Sequence, residues 1–147
     1  MTPPQSYTLQ IVEWSQHHGA LTKIRTDVFV DEQNAPAEIV MDDLDADGVH
    51  VAARDVTGNV IGTGRLILHH PVPRIGRMAV AKSWRSAGVG GKILEKLCEA
   101  AKQRGFGAVM LHSQTHASPF YFKHGFLSQG TEFFEAGIPH QEMRKHI

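Results

Sequence analysis

Sulfur chemistry is almost missing from this chain of 147 residues, in which Cys98 is the one cysteine. That excludes a disulfide framework and a cysteine zinc site. No apolar run approaches the roughly 20 residues that a membrane-spanning helix needs. Met1 to Gln10 does not show the basic-then-apolar order of a secretory signal. The expected compartment is therefore the cytoplasm, with no membrane partner. Net charge is missing as well: 15 basic and 15 acidic side chains cancel, whereas a dedicated nucleic-acid binder carries a basic excess. No repeat, low-complexity tract or linker interrupts the chain, so residues 1–147 read as one domain, large enough for a core without staples. The apolar share of 41% and charged share of 20% are those of an ordinary globular protein.

Histidine is the compositional oddity, with ten residues scattered along the chain. No His-Glu-x-x-His occurs. His112 and His116 are four apart, but a strand end is expected between them, so no metal site is predicted.

Hydrophobic patterning orders the elements. Tyr7 to Glu13 is rich in β-formers and predicts a strand. Leu21, Ile24, Val28 and Phe29 recur at helical spacing within Gln16 to Val30. Asp31 to Asp47 reads as a loop. Val49–Arg54 and Val60–Leu68 flank Asp55-Val56-Thr57-Gly58-Asn59, a turn sequence that predicts an antiparallel hairpin. Pro71 and Pro73 precede a strand over Arg74–Ala81. From Val89 to Arg104 the stripe Val89, Ile93, Leu94, Leu97, Cys98 and Ala101 opposes Lys92, Glu95, Lys96, Glu99 and Lys102. This is an amphipathic helix, stopped by Gly105, with Cys98 as a core residue. A strand (Ala108–His112), a short helix (Ala117–Lys123) and two closing strands (Phe126–Glu135 and Pro139–Lys145) follow. The order predicts an α+β, α/β-like domain on a mostly antiparallel sheet with one parallel strand–helix–strand crossover.

The strand-to-helix junction carries the chemistry. Gly88, Gly90 and Gly91 stand at the helix start, where unpaired N–H groups and the helix dipole favour an anion, and glycine lets a phosphate approach bare backbone. The nucleoside-triphosphate loop does not fit, because Ile93 follows Gly91-Lys92 and Ser86 stands where the first glycine belongs. The dinucleotide fingerprint does not fit either: Gly88-Val89-Gly90 begins it, but Ile93 ends it. Arg85-Ser86-Ala87-Gly88-Val89-Gly90 satisfies a third pattern, Arg/Gln-x-x-Gly-x-Gly/Ala.

With that pattern the chain resembles the GNAT superfamily of N-acetyltransferases. Arg74 through Val80, then Trp84-Arg85 and the glycines, look like the family's central strand, turn and helix. Ala117-Ser118-Pro119-Phe120-Tyr121-Phe122-Lys123-His124-Gly125-Phe126 looks like its Ala-x-x-Phe-Tyr-x-x-x-Gly-Phe segment. Val28-Phe29-Val30-Asp31-Glu32-Gln33 and Gly137-Ile138-Pro139-His140-x-x-Met143 resemble a small bacterial subgroup of uncharacterised acetyltransferases. The resemblance implies the GNAT fold, acetyl-coenzyme A as acyl donor, no metal, and direct acetyl transfer to a primary amine of a small molecule or peptide. It places the pantetheine arm on the backbone of Met78, Ala79 and Val80. It places the pyrophosphate on backbone N–H groups from Arg85 through Lys92, that is Arg85, Ser86, Ala87, Gly88, Val89, Gly90, Gly91 and Lys92. Ser118 stands where the family often has a pantetheine-binding asparagine. Tyr121 matches the family's general acid for the leaving thiolate, and the backbone N–H of Val80 its usual donor to the thioester oxygen. A homodimer through the closing strands or the central sheet is common in the family.

The general base is open. Many family members have a glutamate on the central strand, where this chain has Arg74 and Arg77; Glu32, His112 and His140 are the candidates. The acidic stretch Asp42-Asp43-Leu44-Asp45-Ala46-Asp47-Gly48 opens like a calcium loop but has Arg54 where a bidentate glutamate is required. It reads either as a solvated loop or as a rim attracting a cationic amine. A non-catalytic acyl-coenzyme A sensor and an acyltransferase for longer acyl chains are the alternatives in function.

Overall fold

The computed structural model describes residues 6–147, so the first half of the Met1–Gln10 stretch lies outside the described residues. The strands are β1 (Tyr7–Val12), β2 (Val49–Asp55), β3 (Val60–Ile67), β4 (Arg74–Val80), β5 (Ala108–Gln114), β6 (Leu127–Glu135) and β7 (Ile138–His146). They form one sheet in the order β1-β2-β3-β4-β5-β7-β6. Every neighbouring pair is antiparallel except β4 and β5. This is the mixed sheet that the sequence predicts. The β2–β3 turn closes as its sequence suggests, with Asp55 Oδ1 accepting from the backbone N–H groups of Thr57 and Asn59.

The helices are α1 (Trp14–Arg25), α2 (Ala37–Val40), α3 (Val89–Gln103) and α4 (Ser118–Lys123). Alternation along β2 assigns two of them to opposite faces of the sheet. Val51 and Ala53 join the core beneath α3, with Ile93, Leu94 and Leu97; Ala52 packs with Leu21 of α1. Cys98 lies in the α3 core, where burial pushes its thiol up. The α3 contact is close because β3 offers glycine. A Cβ on Gly64 would lie 2.7–2.8 Å from Met78, Ile93 and Leu97.

Two stretches differ from the sequence reading. The helix expected over Gln16–Val30 is α1 followed by a wide π-helical segment, Thr26–Glu32, in which the N–H of Gln33 donates to the carbonyl of Val28. Periodicity alone does not separate a π turn from an α turn, because Val28 stays buried in either. The expected loop of Asp31–Asp47 contains α2, and two of its acids, Asp42 and Asp45, turn to arginines while Asp43 and Asp47 stay exposed. Asp45 is 1% exposed and bonds Arg25 Nη1 and Arg65 Nη1, each at 2.9 Å. Asp42 accepts from Arg65 Nη1 at 2.7 Å and from Arg77 Nη2 at 3.2 Å. Asp42 and Asp45 belong to an internal ion cluster, whereas Asp43 and Asp47 are exposed as a solvated loop would have them.

Candidate active site

Strand β4 turns away from β5 soon after it begins. Only Arg74 and Ile75 pair with β5, opposite Met110 and Leu111. The cause lies at Arg77, whose φ of +51° is in the left-handed region. There β4 bulges, so Arg77 and Met78 together face Gly64 of β3. A bulge bends and twists its strand, and a non-glycine residue in this conformation costs roughly 1–2 kcal/mol. Arg77 is held in it by its side chain. Nε donates to the carbonyl of Val40 at 2.9 Å, and Nη2 to that of Ile39 at 3.1 Å and to Asp42. The internal ion cluster thus anchors the bulge that opens the sheet.

The opening is a cleft of about 360 Å³. Met78, His112, Tyr121, Glu135 and His140 line it, with Phe29 and Gln33 from the π-helical segment and its end. Past Ile75 the β5-facing edge of β4 has no strand beside it, so an extended ligand with amide groups can pair there as an added strand.

At the far end of β4 the glycine turn opens into α3. Ser86 and Gly88 both have positive φ, +69° and +83°, and α3 has no side-chain cap. The ends of the Arg85–Lys92 run are occupied: Arg85 N–H donates to the carbonyl of Lys82, and Lys92 N–H to that of Gly88. Between them the N–H groups of Ser86, Ala87, Gly88, Val89, Gly90 and Gly91 have no backbone partner among the described residues. That is a nest for an anion. The glycines differ in what they do. Gly88 supplies the left-handed turn. A Cβ on Gly91 would stand 2.8 Å from the His124 ring, so Gly91 serves close packing. A Cβ on Gly90 would meet Phe120 at 3.5 Å and Val80 at 3.8 Å, both ordinary contacts.

Tyr121 rises from α4 into the cleft, 5.0 Å from the Phe120 ring and 6.0 Å from that of Phe126, centre to centre. Burial pushes its phenol up to about 12. Ser118, one turn earlier, is buried and faces inward, its hydroxyl donating to Ser113 Oγ at 3.5 Å.

The three candidate bases separate. Glu32 is outside the cleft wall and forms a bidentate pair with Arg85 at 2.8 and 2.9 Å. That hydrogen bonding holds its carboxyl below the usual range. Arg85 Nε also donates to the carbonyl of Val80, so the motif's arginine ties the π-helical segment to the end of β4. His112 and His140 lie together in the cleft on either side of Glu135. His112 Nδ1 is 3.1 Å from Glu135 Oε1 and His140 Nε2 is 3.5 Å from Oε2. Arg74 Nη2 approaches Oε1 at 3.6 Å. Burial alone would raise the Glu135 carboxyl, but the hydrogen bond from His112 and the charges of Arg74 and the two histidines hold it below the usual range. Sequence reading passed over Glu135, because it ends a strand far from both family blocks. Only the pairing of β6 with β7 and of β7 with β5 carries it to His112.

Comparison with known proteins bears on the family and the fold. Residues 15–147 match the acetyltransferase (GNAT) domain family. The uncharacterized N-acetyltransferase YjcF of Bacillus subtilis (strain 168) is 44% identical over 124 residues, 83% of this chain and 87% of that one. Among solved structures, an acyl-CoA N-acyltransferase from Pseudomonas aeruginosa superposes with a TM-score of 0.85 at 29% identity, covering 95% of this chain and 99% of that one. A GNAT family acetyltransferase from Elizabethkingia anophelis with acetyl-CoA bound shares the fold at a TM-score of 0.71 and 19% identity, covering 96% and 98%.

Proposed function

We propose, from the premise that this chain belongs to the GNAT acetyltransferase family, that it transfers the acetyl group of acetyl-coenzyme A directly to a primary amine in the cytoplasm. The observation that carries the reading is the run of six backbone N–H groups, Ser86 to Gly91, at the end of a strand whose edge lies open toward a cleft containing Tyr121. The nest holds the pyrophosphate. The exposed edge of β4, through Met78, Ala79 and Val80, pairs with the amides of the pantetheine arm. The acyl group then arrives beside Tyr121.

With its phenol near 12, Tyr121 is fully protonated at neutral pH and so a standing hydrogen-bond donor to sulfur as charge develops there. Outright proton transfer to a thiolate, with an ordinary pKa near 8.5, is uphill from such a phenol. Tyr121 therefore gives up its proton as the amide nitrogen loses one, and tyrosinate does not accumulate. Tyr121→Phe is expected to lower kcat by about 10²-fold or more while leaving coenzyme A binding intact.

Coenzyme A at 100 times its Kd should stabilise the fold by about 2.7 kcal/mol, read as a rise in Tm. Gly90→Ala separates ligand from scaffold. The protein has room for the methyl group, so stability should hold or rise by up to about 1 kcal/mol, whereas coenzyme A affinity should fall. Thiol release from acetyl- and butyryl-coenzyme A with a panel of primary amines tests the reaction and its acyl length. Tight coenzyme A binding with no release from any amine would favour a sensor; no stabilisation by coenzyme A would sink the reading.

A further inference from the structure

We propose that His112 is the general base of this acetyl transfer and that Glu135 is the residue that positions it; the assignment rests on the acyl-transfer reading of the cleft. His112 lies on β5 just past Leu111, the last residue paired with β4, where the sheet has opened. Its side chain is 21% exposed, so it meets the cleft without being solvated like a surface histidine. The Glu135 carboxylate only accepts hydrogen bonds, so the nitrogen that approaches it, Nδ1 at 3.1 Å, carries the proton when the ring is neutral. Nε2 then keeps its lone pair, and it has no protein partner among the described residues. Phe133 packs against the same ring edge-on, 5.0 Å between centroids, and supports its orientation.

The other two candidates have no such nitrogen or oxygen to offer. His140 is buried. Its Nδ1 donates to the carbonyl of Ile138 at 2.7 Å and its Nε2 is turned toward Glu135. Both nitrogens face protein, and Nε2 is turned to Glu135 rather than left to the open cleft. Glu32 is engaged by Arg85 on both oxygens.

The charges around His112 come from every element that packs on it. Glu135 from β6 faces it with a carboxylate, and Arg74 from β4 and His140 from β7 bring a guanidinium and a second imidazole to the same carboxylate. Glu142, opposite His112 on β7, is bonded to Arg144 Nε at 3.1 Å. Tyr121 and His116 complete the wall. In the reaction an ammonium group gives one proton to Nε2 and becomes the neutral nucleophile. Its nitrogen then bonds to the thioester carbon as the carbon–sulfur bond breaks. The second nitrogen proton replaces the one that Tyr121 passes to sulfur, and His112 returns its proton to water. The products are amide, thiol and one released proton.

Two measurements on the full chain test this. Nitrogen-15 spectra of the imidazoles near neutral pH should show His112 with hydrogen on Nδ1 and none on Nε2, and Glu135→Ala should shift it toward the Nε2–H form common in solution. This readout needs no acceptor. A wild-type ring with hydrogen on Nε2 would overturn the assignment. The pH profile of kcat/KM for thiol release should change as well, followed with 2-phenylethylamine and with the less basic glycinamide. His112→Gln should lose 10²–10⁴-fold, less with glycinamide, and lose the acidic limb due to the imidazole. Glu135→Gln keeps an acceptor oxygen for Nδ1–H but not the charge, so it should move that limb to lower pH; a merely structural role would lower the rate without moving it. Both variants should keep the coenzyme A-induced rise in Tm. A His112→Gln profile within threefold of wild type would overturn the base assignment alone. A wild type that neither binds coenzyme A nor releases thiol would overturn the acyl-transfer reading with it.

Discussion

Asp45 and Glu135 sit on opposite sides of β4, each facing more than one positively charged or imidazole group. Asp45 is 1% exposed and meets Arg25 and Arg65 at 2.9 Å. Glu135 is 43% exposed and meets His112, His140 and Arg74 at 3.1 to 3.6 Å. The first site is closed by geometry. Arg25 is fully buried, its guanidinium carbon 4.9 Å from the centre of the Trp14 ring, with Nε and Nη2 unbonded. His50 bonds the Asp45 backbone carbonyl through Nε2 at 2.8 Å, and burial pushes its pKa down, so it stays neutral. Such a cluster has no proton to exchange near neutral pH. In the second, looser distances and partial exposure leave one imidazole nitrogen to the cleft. Short contacts in a dry site fix a backbone, here the Arg77 bulge, while a carboxylate shared at longer range can orient a ring that reacts.

The largest test removes the closed site's centre. Asp45→Ala strands the Arg25 charge without a counter-ion, and urea unfolding should show a loss of about 3–5 kcal/mol. A loss below 1 kcal/mol would erase the distinction between the two clusters. Next is acid. Burial works against ionisation of Asp45, but its arginine and backbone hydrogen bonds outweigh it and bring the carboxyl from 3.8 down to about 2. A depressed carboxyl stabilises the fold above its unfolded pKa and stops doing so as pH falls through the folded one. About 2 kcal/mol should therefore disappear between about pH 4 and pH 2, and that drop should be absent from the difference curve of Asp45→Asn. Smaller again is the open site: Glu135→Ala should change stability by no more than about 1 kcal/mol, since half-exposed pairs contribute little. Glu32→Ala, which removes the exposed pair with Arg85, should change stability least of all, and the effect should shrink further in high salt.

Much of the molecule was legible in advance. The α3 stripe, the β2–β3 turn and the strand-to-helix glycines depend on neighbours in the chain, and local periodicity and turn chemistry report such neighbours directly. Asp42 and Asp45 could not be told from Asp43 and Asp47, because an aspartate in a run looks the same whether it meets water or a buried arginine. Arg25 lies 20 residues before Asp45 and Arg65 lies 20 after it. Nothing local links them. The glycine turn was read as one anion site, whereas the structure separates its members into Gly88 for the turn, Gly91 for packing and Gly90 for neither.

From residue order alone came the fold class, the family resemblance and the position of the glycine turn, because each rests on contiguous backbone whose conformation its own side chains dictate. Only the tertiary structure decided the cleft. Its opening depends on a left-handed arginine held by α2 and Asp42. Its proton chemistry depends on Glu135, 23 residues beyond His112, brought to it by strand pairing across the sheet. A tautomer is set by what stands beside the ring, and that neighbour is chosen by folding.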